Sequence, residues 1–194
     1  MEKLTVIKVG GKIVEDAQSL DGLLGGFADI PGAKVLVHGG GRSATKLAAD
    51  LGLETTMVGG RRVTDEQMLK VVTMVYGGLV NKNVVAKLQS KGVNALGLTG
   101  ADMNVMLSRR RKPVMVKAEV AGTPSDSLVD YGYVGDVERC DGMMLSTLIG
   151  NGIVPVMAPL THDGDGNLLN TNADTIAAET AKSLAPFYVV SLVY

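Results

Sequence analysis

Val35-Leu36-Val37-His38-Gly39-Gly40-Gly41 runs a short β-branched, apolar strand into three glycines, and a helix-like stretch, Arg42 to Leu51, follows at once. A glycine loop between a buried strand and a helix N-terminus leaves several backbone N–H groups unpaired and aimed at one point, which is how proteins bind phosphate and other anions. Glycine also lets a ligand approach the backbone without meeting a Cβ. The same pattern stands at the N-terminus, where Leu4 to Val9 reads as a buried strand and ends in Gly10-Gly11, flanked by Lys8 and Lys12. Either loop alone is also compatible with an ordinary tight turn. Two such loops with lysines beside them point to phosphoryl transfer.

Working outward, strand-like and helix-like stretches alternate. Asp16 to Ile30 carries Leu20, Leu23, Leu24 and Phe27 at helical spacing and is stopped by Pro31-Gly32. Lys34 to His38 is the second buried strand, and Ser43 to Leu51 the second helix. Thr55 to Val58 is a short strand turned by Gly59-Gly60. Thr64, with Gln67 three residues on, has the form of a capping box opening a long helix that runs to Ser90. Its apolar residues cover more than one face, and Gly77-Gly78 lies in its middle. Each of those glycines costs on the order of 1 kcal/mol against alanine. Close approach of another helix would offset that, either in a homodimer formed through residues 65–90 or by packing within the chain.

Val93 to Leu98 is a third core strand. Asn104 to Tyr133 mixes short apolar stretches with Arg109-Arg110-Arg111-Lys112, Pro113, Gly122 and Pro124, and reads as hairpins carried outside the main sheet, the basic run being a solvated tip. Asp141 to Asn151 is a helix, Ile153 to Ala158 a strand, Asp163 to Asn167 a turn, Asn172 to Leu184 a helix, and Tyr188 to Val193 a last buried strand. Strands alternating with helices predict an α/β three-layer sandwich with a mostly parallel central sheet.

Composition narrows the function. A chain of 194 residues that is 46% hydrophobic is large enough for one domain with a substantial core. The net charge of -1 gives no general attraction to nucleic acid or an anionic membrane, and no aromatics interleave with the basic run to stack bases. No apolar run reaches membrane-spanning length. The lone Cys140 excludes an internal disulfide and reads as a small packed residue; a cytoplasmic location is the expectation. The Asp163 to Asn167 turn lacks the spacing and terminal Glu of a calcium loop, and no metal-ligating residues are singled out.

In open α/β sheets, ligands bind outside the carboxyl ends of the strands. Lys8, the Gly39-Gly40-Gly41 loop, Arg62 after Gly59-Gly60, and Asn170-Thr171-Asn172-Ala173-Asp174 before a helix all fall at such ends. In order and spacing these motifs, with Gly60-Arg61-Arg62-Val63-Thr64, resemble those of the amino acid kinase family, and the likeness covers essentially the whole chain. The resemblance implies one domain, residues 1–194, and ATP with Mg²⁺ as phosphoryl donor. It implies a small-molecule acceptor, an N-acylglutamate, phosphorylated on its side-chain carboxylate in arginine biosynthesis; a kinase of another small carboxylate or of carbamate within the family, or a non-catalytic ligand-binding remnant, stays open as the alternative. By the same resemblance Lys8 neutralises charge on the transferred group, and Asp174 orients Lys8. Gly10, Gly11, Gly40 and Gly41 present amides to the phosphoryl group and the reacting carboxylate. Arg62 holds the α-carboxylate and Asn170 hydrogen-bonds the substrate. Family members continue well past position 194 and carry most of the adenine and ribose site there, so the chain is expected to be a fragment lacking most of its nucleotide-binding part.

Overall fold

The computed structural model describes residues 1–120 and 123–194. Gly122, one of the breakers read from the sequence, lies outside the described residues. Five strands build the central sheet: β1 (Lys3–Val9), β2 (Ala33–His38), β5 (Ala95–Leu98), β10 (Val154–Met157) and β13 (Val189–Val193). Their order is β13-β1-β2-β10-β5, and every pairing is parallel. All six residues of β2, the middle strand, are buried, as a parallel strand covered on both faces requires.

Alternation along the strands feeds two cores. Val9, Leu36 and Val156 meet Leu20, Leu24 and Phe27 of α2 (Ala17–Asp29), Ala44 and Ala48 of α3 (Gly41–Asp50), and the long helix of residues 66–90. Leu4, Val6, Val35, Val37 and Met157 face the other way, onto Leu145 of α6 (Gly142–Gly150) and Ile176 and Leu184 of α7 (Ala173–Leu184). The three-layer sandwich expected from the sequence is therefore present. Lys34, on β2, is a buried cation whose Nζ donates to the carbonyls of Phe27, Ala28 and Ile30 at 3.0, 2.7 and 2.8 Å, closing the C-terminus of α2.

Outside the main sheet, β6 (Met106–Arg110), β9 (Gly135–Cys140), β11 (Leu160–His162) and β12 (Leu168–Asn170) form a four-stranded sheet in the order β12-β11-β6-β9. Two hairpins join it: β3 (Met57–Val58) with β4 (Arg61–Arg62), and β7 (Val114–Val120) with β8 (Thr123–Val129). Hairpins were expected here, and Arg109, Arg110 and Lys112 of the basic run are exposed as expected, while Arg111 is half-buried. Arg110 and Arg111 lie over the Tyr133 and Tyr131 rings, and Arg111 pairs with Asp136. A one-turn helix, α1 (Gly11–Glu15), escaped the sequence reading. The final strand is an edge rather than a buried strand, with Val189 and Val193 exposed. His162 ends β11 and is bonded through Nε2 to Asn104 Oδ1 at 2.9 Å.

The long helix differs most from expectation. It is capped by Asp65, whose carboxylate accepts the Met68 N–H at 2.7 Å, and not by Thr64. It runs as α4 (Glu66–Val72), a π-helical stretch (Thr73–Val80) and α5 (Asn81–Ser90). Bonding from i to i+5 brings residues five apart onto one face. Val75 with Val80 and Tyr76 with Asn81 are accordingly buried, while Met74 and Leu79 are 52% and 66% exposed. Gly77 lets this stretch approach Leu160 of β11 within the same chain, whereas Gly78 faces open space.

Candidate functional site

β1 and β2 are adjacent and in register, Val9 beside His38, so their glycine loops leave the sheet side by side. The Gly39 N–H donates to the Val9 carbonyl at 2.9 Å and ties the loops together. They pack closely: a Cβ on Gly39 would stand 3.2 Å from the Gly11 nitrogen, a tight contact. One on Gly11 would stand 3.6 and 3.7 Å from the nitrogens of Gly41 and Gly40. Three amides thus converge. Gly10 and Gly40 are the N-caps of α1 and α3, and no side chain caps either helix. The first N–H groups of both are left for an anion.

Lys8, near the end of β1, is paired with Asp174 at 2.7 Å. Asp174 lies in the first turn of α7, whose cap Asn172 accepts the N–H groups of Asp174 and Thr175. The packing of α7 on the sheet therefore places the carboxylate against the lysine. A cleft of about 200 Å³ is lined by Gly40, Gly41, Arg62, Tyr76 and Asn170 among others. Of the residues singled out from the sequence, Gly40, Gly41, Arg62 and Asn170 share this cleft. Lys8, Gly10, Gly11 and Asp174 do not line it, although Asn172 and Ala173, next to Asp174 in the chain, do.

Arg62 is only 7% exposed. Its Nη2 donates to the Gly41 carbonyl at 2.7 Å and to Thr45 Oγ1 at 2.9 Å, and its Nη1 to Thr55 Oγ1 at 3.3 Å. All these partners are neutral, and among the described residues no carboxylate forms an ion pair with it. A buried guanidinium without a counter-charge is a seat for an anion. Asn170 ends β12 and donates from Nδ2 to Thr64 Oγ1 at 2.9 Å.

Three participants were not legible in the sequence. Tyr76, held by the π-helical stretch, lies under the glycine loop; a Cβ on Gly40 would come within 2.9 Å of its ring. Burial pushes the Tyr76 hydroxyl above the ordinary tyrosine range, while the nearby Arg62 guanidinium opposes that shift. Asn81 Nδ2 donates to His38 Nε2 at 3.1 Å and to the Val156 carbonyl at 3.0 Å. His38 Nδ1 meets the Gly39 carbonyl at 2.8 Å, and since a carbonyl only accepts, the ring proton resides on Nδ1. Thr64, read from the sequence as a helix cap, holds Asn170 instead. The only signal for Asn81 was a polar residue on an otherwise apolar helix face.

Burial drives the His38 pKa down to about 4, so the imidazole is neutral at pH 7 and braces the loop base. Burial pushes the Cys140 thiol up to about 11, which suits a packed residue and not a nucleophile. Among the described residues no three His, Cys, Asp or Glu side chains converge as a metal centre. No helix among them is long and apolar enough to cross a membrane.

Comparison with known proteins places this geometry among relatives. The model of the amino acid kinase family matches residues 3–192. An acetylglutamate kinase from Bacteroides fragilis is 67% identical over 193 residues, covering 100% of this chain and 69% of that protein. The smu.665 protein of Streptococcus mutans UA159 superposes with a TM-score of 0.74 at 28% identity, over 94% of this chain and 69% of that one. An N-acetylglutamate synthase from Neisseria gonorrhoeae, solved with coenzyme A and N-acetyl-glutamate, gives a TM-score of 0.72 at 26% identity, over 93% and 39%.

Proposed function

The chain belongs to the amino acid kinase family and is a kinase, and from that premise we propose that it serves ATP-dependent phosphorylation of the side-chain carboxylate of an N-acylglutamate, giving the acyl phosphate. The observation that carries this reading is Arg62, a buried cation with neutral partners, standing in the same cleft as the Gly40 and Gly41 amides. A substrate with two carboxylates fits both ends: the α-carboxylate on the planar guanidinium fork, the side-chain carboxylate on the amides. Asn170, in the cleft wall, hydrogen-bonds the acylamino group.

The chemistry asks little of acids or bases. A carboxylate nucleophile has no proton to lose at pH 7, and phosphoryl transfer depends on positioning and charge stabilisation. ATP, with Mg²⁺ bound as part of that substrate, presents its terminal phosphoryl group over Gly10 and Gly11. These amides and those of Gly40 and Gly41 stabilise the charge on the transferring oxygens. Lys8 neutralises the remainder, and the 2.7 Å pair with Asp174 holds the ammonium in place beforehand.

The acyl group is acetyl in this reading, after the B. fragilis relative. A longer acyl chain ending in a carboxylate, such as succinyl, has one observation in its favour: Arg61 also lines the cleft and forms no ion pair among the described residues. Calorimetric titration with N-acetylglutamate and N-succinylglutamate in parallel tests the reading and ranks the two. Saturable binding of either supports it. A folded chain that binds neither, but binds aspartate or carbamate, overturns it. We also propose a homodimer through residues 66–90, where Met74 and Leu79 are exposed on the π-helical stretch. Sedimentation equilibrium at the monomer mass over the micromolar range would refute that.

A further inference from the structure

We propose that Thr64 is a positioning residue that sets the orientation of the Asn170 carboxamide and of the Arg62 strand together, and so determines affinity for the acylglutamate without touching it; this rests on the substrate reading above. Thr64 is fully buried and fully committed. Its N–H donates to the Tyr131 carbonyl at 2.9 Å, and its carbonyl accepts from the Tyr133 N–H at 2.7 Å. Gly132 between those two residues has φ +72 and packs so closely on Thr64 that a Cβ would overlap the Thr64 carbonyl. The backbone of Thr64 is thereby pinned from both sides, and only its hydroxyl is left to act.

That hydroxyl has one proton, and it goes to the Arg62 carbonyl at 3.1 Å. Toward Asn170, at 2.9 Å, it can then only accept. The acceptor role selects one of the two flips of the Asn170 side chain: Nδ2 turns to Thr64, and Oδ1 is released from that contact. Asn170 Oδ1 then offers an acceptor to the N–H of an acylated amino group, which the opposite flip would not. The backbone of Asn170 is held independently, its N–H donating to the Tyr133 carbonyl at 2.8 Å. The flip is therefore the one freedom left to the residue, and Thr64 removes it. Through the Arg62 carbonyl the same hydroxyl anchors β4, which carries the cation of the cleft.

The test combines Thr64→Val, Thr64→Ser, Asn170→Ala and the Thr64→Val/Asn170→Ala double variant. The readouts are the N-acetylglutamate Kd and the side-chain amide NMR signal of Asn170, identified by its loss in Asn170→Ala. Leaving a buried donor unpaired weakens binding by about tenfold in Thr64→Val, while Thr64→Ser stays near wild type. The double variant loses less affinity than the product of the two single losses, since only the share carried through the Arg62 carbonyl is added to Asn170→Ala, and the Asn170 amide signal moves in Thr64→Val but not in Thr64→Ser. Thr64→Ala, measured alongside, removes the hydroxyl if valine is not accommodated. Multiplicative losses in the double variant, or an unmoved amide signal, overturn the proposal. If the signal moves but Asn170→Ala and Arg62→Ala bind like wild type, the bond exists, the acylglutamate reading fails, and the proposal fails with it.

Discussion

An anion that reaches Arg62 relieves a buried, unpaired charge, and the relief is measurable as heat stability. The guanidinium is 7% exposed, and its oxygen partners are the Gly41 carbonyl and the hydroxyls of Thr45 and Thr55. A ligand at a hundred times its Kd stabilises the folded state by about 2.7 kcal/mol. At about 2–4 °C per kcal/mol for a chain of this size, N-acetylglutamate should raise the melting temperature by about 5–11 °C. Arg62→Gln removes a charge-assisted pair worth about 1.5–3 kcal/mol, a roughly 10- to 150-fold loss of affinity. At the same ligand concentration the shift should then fall to about 1–5 °C. Differential scanning calorimetry with and without ligand reads both, and using the ligand-induced difference removes any effect of the substitution on the free protein. N-acetyl-4-aminobutyrate, which lacks the α-carboxylate, should give wild type no more than the reduced shift. An undiminished shift in Arg62→Gln, or equal shifts from the two compounds, would refute the idea that Arg62 seats the α-carboxylate.

Three further outcomes are expected. With a folded pKa of about 4 against an ordinary 6.5, His38 takes up its proton in the unfolded chain first, so stability falls as pH drops through that window. The loss is about 2 kcal/mol by pH 5, and denaturant midpoints measured from pH 8 to 5 should flatten in His38→Gln; an unchanged slope would contradict it. Lys34→Met deletes the donor shared by three carbonyls at the end of α2 and should cost about 1–3 kcal/mol, seen as a lower urea midpoint with unaltered N-acetylglutamate affinity. Lys8→Ala should leave that affinity within about twofold while reducing phosphoryl transfer by about 10²–10³ in an enzyme complete with its nucleotide-binding part; a matching loss of binding would move Lys8 into the acceptor site.

The sheet and both glycine loops were legible because their signals are local. Val35 to Gly41 carries strand propensity, buried alternation and a breaker in seven residues, and β2 formed there with every residue buried. Lys8, Arg62, Asn170 and Asp174 were legible as residues at strand ends, and the structure does pair Lys8 with Asp174. The rest depended on distance in sequence. Thr64 reads as a helix cap from its neighbours, but Asp65 takes that task and frees Thr64 for Asn170, far along the chain. Nothing near Tyr76 announces that its ring underlies Gly40. The π-helical stretch has the same apolar composition as an α-helix, and only its packing reveals the wider period. Arg111 looked solvated until Asp136 was brought opposite it by strand pairing.

The stretch from Thr73 to Val80 has a bearing on how this chain tolerates change. Side-chain substitutions on its outer face, at Met74 or Leu79, leave the packing within the chain untouched and bear only on the dimer contact proposed above. Loss of a single residue is another matter. Drawing the wide turn back toward α-helical pitch would rotate everything after it by about 100° relative to what precedes it. Asn81 would then swing away from His38 while Tyr76 stayed beneath the loop. The stretch acts as a length gauge between the two supports of the glycine loops: its outward letters can be respelled, but neither its inward letters nor their count can change without moving one support against the other.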